Sequence, residues 1–203
     1  MEPNLRPSAL RLVGIGMAAA LTLLSGPAHV VLAADSASPD PTTAAGAETQ
    51  DQGLSLPSRP GLPPSVTEGV PHIQQDQTSS PEVMESLATW AFSLPSVAEL
   101  PSAASLPGAR ALTLAEDLEA NEDAMIVGRE FAHIHANPGA GSLHLRLSVD
   151  EANDVLDAGW GVWHPFALDG SMPGLIMVYA PRDAEDVEVI KLIVGASVAY
   201  AGG

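Results

Sequence analysis

The stretch MIVGREFAHIHANPGAGSLHLRL, residues 125–147, decides the fold of this chain. Both of its ends alternate between apolar and polar side chains, which is typical of half-buried strands. The NPGAG sequence between them, residues 137–141, has the composition of a hairpin loop. Residues 125–136 and 142–147 are therefore predicted to form two antiparallel strands.

The alternation assigns each side chain of the hairpin to one face of the sheet, because successive residues of a strand point to opposite sides. The predicted polar face carries Arg129, Phe131, His133, His135, Ser142, His144 and Arg146, and the apolar face carries Ala132, Ile134, Ala136, Leu143, Leu145 and Leu147. Glu130 falls on the face opposite the histidines, so a mechanism with paired carboxylates is not predicted.

The register follows from the loop. A loop of four residues, 138–141, places His135 opposite His144 and His133 opposite Arg146. A slip of one residue would set leucines against histidines and destroy the apolar face, so the identity of each face is well specified. Three histidines and an arginine are expected to lie together on one side of the sheet.

The flanking sequence adds helices and further strands. Residues 81–92 form an amphipathic pattern behind a first-turn proline, and residues 148–151 (SVDE) form a capping box. Residues 109–114 and the wholly apolar residues 174–180 read as strands, and the latter as a central one. The remaining predictions are a helix cap at Gly159, an aromatic loop over residues 160–165 and a last helix from Asp183 onward. Together they predict an α+β domain over residues 81–203, with two layers: a mostly antiparallel sheet and helices packed on its apolar face.

The chain before this domain has a different composition. Arg6 and Arg11 precede an apolar run over residues 12–24, and Val31-Leu32-Ala33 resembles a cleavage site. We therefore predict a secretory signal peptide over residues 1–33, or a signal anchor if this segment is not cleaved. Residues 34–80 are rich in Pro, Ser and Thr and lack periodicity, which predicts a disordered linker. The protein is expected to be secreted or extracytoplasmic, and it would contact a membrane only through an uncleaved anchor.

Composition excludes several functions. The chain has no Cys, which rules out disulfides, zinc–thiolate sites and thiol catalysis. Its formal net charge is −17 and Lys191 is its single lysine, so its surface would repel a nucleic-acid backbone. No nucleic-acid partner is therefore predicted.

Five short pieces of the domain occur together, in one order, in a known family. They are Arg129-Glu130 with Ala132-His133-x-His135, Leu143-His144-Leu145, Gly159-Trp160-Gly161 with His164-Pro165, Tyr179-Ala180-Pro181-Arg182, and Ala196-Ser197. Over about residues 129–201 the chain resembles the luciferases of bioluminescent fungi, which oxidise the pyrone 3-hydroxyhispidin with molecular oxygen. The resemblance implies a luciferase-like domain, and an oxygenase that needs no cofactor beyond oxygen.

Cofactor-free oxygenation requires a substrate that ionises to an electron-rich enolate. His133 or His135 suits proton removal, with His144 orienting the base. Arg129, Arg146 or Arg182 would hold the developing oxyanion. Aromatic and polar residues in or beside the matching pieces would contact a flat phenolic or pyrone-like substrate and exclude water. These candidates are Trp160, Trp163, His164 and Tyr179.

Two other functions remain open at this point. His133, His135 and His144 would also provide three imidazoles for a divalent metal in a metal-dependent enzyme. The same pocket without chemistry would be a small-molecule binding module. Structural roles are open for His164 before its proline, for Trp160 in the core and for Arg182 beside a carboxylate.

Overall fold

The computed structural model describes residues 53–202. The predicted signal peptide, residues 1–33, and the first part of the predicted linker, residues 34–52, lie outside the described residues. The helices are α1 (Pro81–Ala91), α2 (Val149–Asp157), α3 (Pro165–Leu168) and α4 (Ala184–Gly202), and the strands are β1 (Val97–Pro101), β2 (Arg110–Leu114), β3 (Glu130–Ile134), β4 (Leu143–Arg146), β5 (Gly161–Trp163) and β6 (Leu175–Val178).

The six strands form one antiparallel sheet in the order β1-β2-β3-β4-β6-β5. The chain leaves β4 through α2, forms the edge strand β5, and returns as β6 between β4 and β5. The central position predicted for residues 174–180 is confirmed, and so is the α+β class. Within residues 53–202, none of the helices combines the length and apolar character that a membrane crossing needs.

One face of the sheet is covered by helices. Leu143 and Leu145 of β4 pack in the same buried cluster as Leu87 of α1, Val155 of α2 and Ile190 of α4. Burial of each such side chain contributes roughly 1.5–3 kcal/mol to stability. The other face, which carries the histidines, is left free of long helices.

The pairing of β3 with β4 differs from the predicted register. His133 lies opposite His144, and the His135 N–H donates to the Ser142 carbonyl at 2.8 Å. The predicted pairing was wrong by two residues, because the loop comprises residues 136–141 instead of 138–141. A shift of two restores each side chain to the same face, so the leucines and histidines still occupy opposite sides.

A β-bulge in β3 overturns a second expectation. Leu112 pairs with Ala132 and Thr113 pairs with Glu130, which leaves Phe131 as an extra residue. The extra residue reverses the alternation. Phe131 therefore enters the helix-covered core, and Glu130 joins the histidine face, where it contacts His133. The predicted faces of both residues were wrong, since period-two alternation does not foresee a bulge.

Local signals placed α1, α2 and α4 accurately, whereas the short helix α3 was not predicted. The Ser148 hydroxyl accepts the Glu151 N–H while the Glu151 carboxylate accepts the Ser148 N–H, which confirms the capping box. Gly159, at φ +80°, ends α2 in the left-handed conformation. Two strands were not predicted: β1, which lies in a proline-rich stretch, and β5, which lies within the predicted aromatic loop.

Residues 53–80 differ from the expected linker because they contact the domain. Apart from a single bridge between Val66 and Gln74, these residues form no strand or helix. The Trp160 indole N–H donates to the Pro57 carbonyl at 2.6 Å, and the Gln74 side chain accepts the Ala180 N–H at 2.9 Å. Such individual polar contacts leave no periodic pattern in a sequence, so the lack of periodicity in this segment did not indicate them.

Candidate functional site

Five of the six histidines in the chain come together on the face of the sheet that carries no long helix. His133 and His135 come from β3 and its end, and His144 comes from β4. His164 precedes α3, and His72 comes from the segment before α1. Each of the five is at most 6% exposed. The sequence predicted this gathering for three of them on one face and named His164 separately.

His144 is the centre of the group. Its ring centroid lies 4.6 Å from those of His135 and His164, and 5.0 Å from that of His133. The His72 ring stacks on the His144 ring at 5.4 Å with an interplanar angle of 7°. His144 Nε2 is buried and has no hydrogen-bond partner within residues 53–202.

A chain of hydrogen bonds leads from a carboxylate to this central ring. Glu130 Oε1 lies 2.8 Å from His133 Nδ1, and His133 Nε2 lies 3.1 Å from His144 Nδ1. An ionised carboxylate only accepts hydrogen bonds, so the neutral form of His133 carries its proton on Nδ1 and has a bare Nε2. A bare Nε2 requires His144 to donate from Nδ1. The unpartnered His144 Nε2 is then a lone pair inside the protein.

Glu130 is held as an anion by three donors. Besides His133, the Ser102 hydroxyl donates at 2.7 Å and the Ala103 N–H at 2.9 Å. Burial alone would raise the pKa of this carboxyl, but the hydrogen bonds from His133, Ser102 and Ala103 outweigh burial and lower it. The carboxylate therefore stays charged at neutral pH and determines the tautomer of His133.

His135 has its own partner. Its Nδ1 lies 2.9 Å from the Ser142 hydroxyl, and that hydroxyl donates its hydrogen to the Gly139 carbonyl at 2.8 Å. Since the hydroxyl hydrogen is already used, Ser142 accepts from His135. His135 thus carries its proton on Nδ1, and its Nε2 is bare as well.

The two remaining histidines are held differently. His164 is the N-cap of α3, and its Nδ1 accepts the Phe166 N–H at 3.1 Å, so the neutral ring carries its proton on Nε2. His72 lies within a chain reversal that is closed by the hydrogen bond from the Thr67 N–H to the Ile73 carbonyl at 3.0 Å. Its Nδ1 is buried and has no partner among the described residues.

Burial lowers the pKa of four of the five imidazoles. It lowers the pKa of His135 to about 3, with added repulsion from His133, His72 and His164. Burial and then the neighbouring histidines lower the pKa of His164 to about 4 and hold that of His144 well below its ordinary value. Burial also lowers the pKa of His72. At neutral pH these four rings are neutral and available as proton acceptors or ligands.

Two adjoining cavities open onto the cluster, and His144 and His164 border both. One, of about 320 Å³, is also lined by His72, His135 and apolar side chains such as Leu106. The other, of about 270 Å³, includes His133 and is otherwise mostly apolar. A small ligand in either cavity would contact His144 within mainly apolar walls, which is the usual composition of a small-molecule site.

The three candidate arginines lie apart from this pocket. Arg129 donates to the carbonyls of Leu114, Ala115 and Leu118. Arg146 donates to the carbonyls of Asp123 and Met125, and Arg182 pairs with Asp186 and the Pro60 carbonyl. Each holds a turn or a segment of chain, and none of the three borders either cavity within the described residues.

The aromatic candidates also lie elsewhere. Trp160 and Trp163 pack with the helix-covered core. Tyr179 is buried with the Arg59 guanidinium 5.3 Å from its ring centre, and that guanidinium lies 6.0 Å from the Trp160 ring. Among the described residues, none of the three borders a cavity at the histidines. Of the predicted substrate contacts, His164 alone is brought to the pocket.

Sequence reasoning missed two members of the site. Glu130 was placed on the wrong face by the unrecognised bulge. His72 was overlooked because it lies in the segment read as a linker. A local signal did exist there: Val70 and Ile73 flank it closely, and apolar residues are rare in this stretch.

Comparisons with known proteins match the region of the chain that contains most of this cluster. A family model described as "Luciferase domain" matches residues 128–197, which include Glu130 and four of the clustered histidines. Proteins named "Luciferase" from Neonothopanus nambi and from Armillaria gallica and Armillaria mellea are 41%, 38% and 38% identical to this chain over 76 residues. Those residues cover 36% of this chain and 28% of each relative, so the chain spans just over a quarter of their length. No solved structure gives a significant match. The resemblance predicted from the sequence is confirmed over this region, and His72 lies outside it.

Proposed function

We propose that this chain is an exported, luciferase-like oxygenase that ionises a small phenolic or pyrone-like molecule in the histidine pocket and lets it react with molecular oxygen. The observation that carries the proposal is the buried, unpartnered Nε2 of His144 at the end of the Glu130–His133–His144 chain. Export rests on the N-terminal sequence pattern, with its two arginines and apolar run. The reaction class rests on the similarity to proteins named luciferases.

The hydrogen-bond chain accounts for proton removal. When His144 Nε2 takes a proton from the substrate, the new positive charge is shared through His144 Nδ1–H and His133 toward the Glu130 carboxylate. The carboxylate is the only charged group in this chain of contacts, and it compensates the buried cation. A positioned base of this kind contributes about 10²–10⁴ in rate.

The pocket also suits the second step, the reaction of the enolate with oxygen. Its walls combine neutral imidazoles with apolar side chains such as Leu106, Phe166 and Leu175. A dry, weakly polar environment protects an electron-rich carbanion or peroxide from protonation by water. The cavity volumes of about 270 and 320 Å³ admit a molecule of one or two rings.

The test is oxygen consumption by the full chain with a panel of enolisable phenolics and pyrones. Saturable uptake that depends on His144 is expected, and His144→Gln should lower it by about 10²–10⁴. Met177→Leu is the matched control, because Met177 lies opposite His144 in β6 and a volume-conserving exchange leaves the imidazole intact.

A ligand that binds tightly without oxygen uptake would replace the oxygenase with the binding-module alternative. Uptake that persists in His144→Gln would remove His144 from the reaction.

A further inference from the structure

We propose that His133, His135 and His144 bind one divalent transition-metal ion on the floor of the pocket. The proposal deepens the proposed function, since an ion there would help to ionise the same substrate, but the ion site itself stands on the geometry of the three rings. Their candidate ligand nitrogens all lie within 4.8 Å of one another, and the residues are buried.

Two of the ligands are already in the required tautomer. A histidine that binds metal through Nε2 must carry its proton on Nδ1, and a carboxylate or another acceptor usually holds that proton. Glu130 does this for His133, and Ser142 does it for His135. Both residues therefore present a bare Nε2 without any rearrangement.

The third ligand is positioned by its distance from the first. His144 Nδ1 lies 3.1 Å from His133 Nε2. If each nitrogen is about 2.05 Å from a shared ion, this separation corresponds to an angle of about 100° at the ion, between the octahedral and tetrahedral values. An ion would replace the proton that now joins the two nitrogens. That proton moves to His144 Nε2, which has no competing protein partner within residues 53–202.

A second group, His72, His144 and His164, is also close enough to share an ion, but its chemistry fits less well. The Nδ1 of His164 accepts the Phe166 N–H, so the neutral ring carries its proton on Nε2 and lacks a free lone pair. His72 and His164 are better placed to face the open positions of the ion and the substrate. The first group is therefore the ligand set.

The donor set narrows the choice of ion. Three neutral imidazoles with no thiolate suit Zn²⁺, Cu²⁺, Ni²⁺ or Fe²⁺ and not Mg²⁺ or Ca²⁺, which prefer oxygen ligands. With three protein ligands, the ion keeps at least one open position for a substrate oxygen. Coordination there would lower the pKa of an enolic hydroxyl. A ring that binds the ion through Nδ1 carries its proton on Nε2, so the metal content of the protein decides whether His144 acts as the base or as a ligand.

The test measures metal binding by the full chain without substrate. The protein is stripped with a chelator, its fold is checked by circular dichroism, and it is titrated with Zn²⁺ by calorimetry and with Co²⁺ by visible absorption. One equivalent of each ion is expected, together with the visible bands of Co²⁺ in a four- or five-coordinate nitrogen site.

Variants identify the ligands. His135→Ala should abolish stoichiometric binding, and Ser142→Ala, which keeps His135 but removes the acceptor of its Nδ1–H, should weaken it about 10–100-fold. His72→Ala is the matched control: it removes an equally buried imidazole and should retain one equivalent. Binding that is lost in His72→Ala but kept in His135→Ala would overturn the assignment, and so would a folded native chain that binds neither ion.

The outcome is separable from that of the proposed function. Oxygen uptake by protein that binds no metal would overturn the ion site and leave the oxygenase in place. One bound equivalent without uptake of oxygen on any substrate of the panel would overturn the oxygenase and leave the ion site in place.

Discussion

Exchange of Glu130 for glutamine is expected to reverse the tautomers of His133 and His144, the two rings that are hydrogen-bonded in series to this carboxylate. The carboxylate accepts from three donors: His133 Nδ1–H, the Ser102 hydroxyl and the Ala103 N–H. A glutamine has one accepting oxygen and one donating NH₂ group. If the oxygen stays near His133, the NH₂ group faces the Ala103 N–H, and two donors oppose each other in a buried place.

The favourable arrangement of Glu130→Gln turns the amide the other way. Its oxygen then accepts the Ala103 N–H, and its NH₂ group faces His133 Nδ1. His133 must move its proton to Nε2 and donate to His144 Nδ1, so the His144 proton moves to Nε2. The lone pair assigned to proton removal disappears, and so does the bare Nε2 that His133 offers to a metal.

The magnitudes follow from these changes. Oxygen uptake should fall by about 10²–10⁴, the contribution of a positioned base. Loss of a charge-assisted buried hydrogen bond should lower the free energy of unfolding by about 1–3 kcal/mol. Affinity for Zn²⁺ should fall by at least about tenfold, since an outer partner of a ligand is lost.

Long-range ¹H–¹⁵N correlation spectra of the histidine rings report the tautomers directly, and urea unfolding reports stability. Glu99→Gln is the matched control, because Glu99 is a partly exposed carboxylate that accepts from Arg110 on the neighbouring strand β2. It should change stability by no more than about 1 kcal/mol and leave uptake unchanged. A His144 ring that keeps its proton on Nδ1 in Glu130→Gln would refute the reasoning, even if activity fell.

Three further predictions follow from the structure. Burial lowers the pKa of His135 to about 3 and that of His164 to about 4. Between about pH 6.5 and these values, the unfolded chain therefore binds more protons than the native chain. As pH falls through this window, each ring should lower the free energy of unfolding by about 1.4 kcal/mol per pH unit. Urea unfolding from pH 7.5 to 4.5 measures this slope, His135→Gln should reduce it, and a stability that rises on acidification would contradict the assignment of neutral rings. Leu145→Ala, at a fully buried position of β4, should lower the free energy of unfolding by about 2–5 kcal/mol. Leu168→Ala, at a position that is 72% exposed, should lower it by about 0.5 kcal/mol or less. Equal shifts of the melting temperature in the two variants would contradict the assignment of Leu145 to the core. Arg129→Gln should lower the melting temperature, since the arginine binds three carbonyls, but leave kcat of the folded enzyme unchanged; a selective loss of kcat would return this arginine to the reaction.

Much of the candidate site was predictable from residues 125–147. The leucines of β4 need an apolar partner layer, and this requirement assigns His133, His135 and His144 to the other face in any register that differs by an even number of residues. The cross-strand partner of each residue in β3 and β4 was not predictable, because it depends on the number of residues in the loop between the two strands. The bulge at Phe131 was likewise hidden, although it alone brings Glu130 to the histidines.

The sequence by itself determined the class of the fold, the starts of α1, α2 and α4, and the opposite faces of the leucines and histidines, because periodicity and capping act over a few neighbouring residues. The resemblance to luciferases was also legible, since its motifs are local. The tertiary structure alone decided that His72 covers the cluster and that the arginines and tryptophans serve the scaffold instead of the pocket. These outcomes depend on contacts between residues up to 122 positions apart, such as that of Arg182 with the Pro60 carbonyl. No local pattern encodes them, because contacts at that separation are set by how the whole sheet and its covering segments pack.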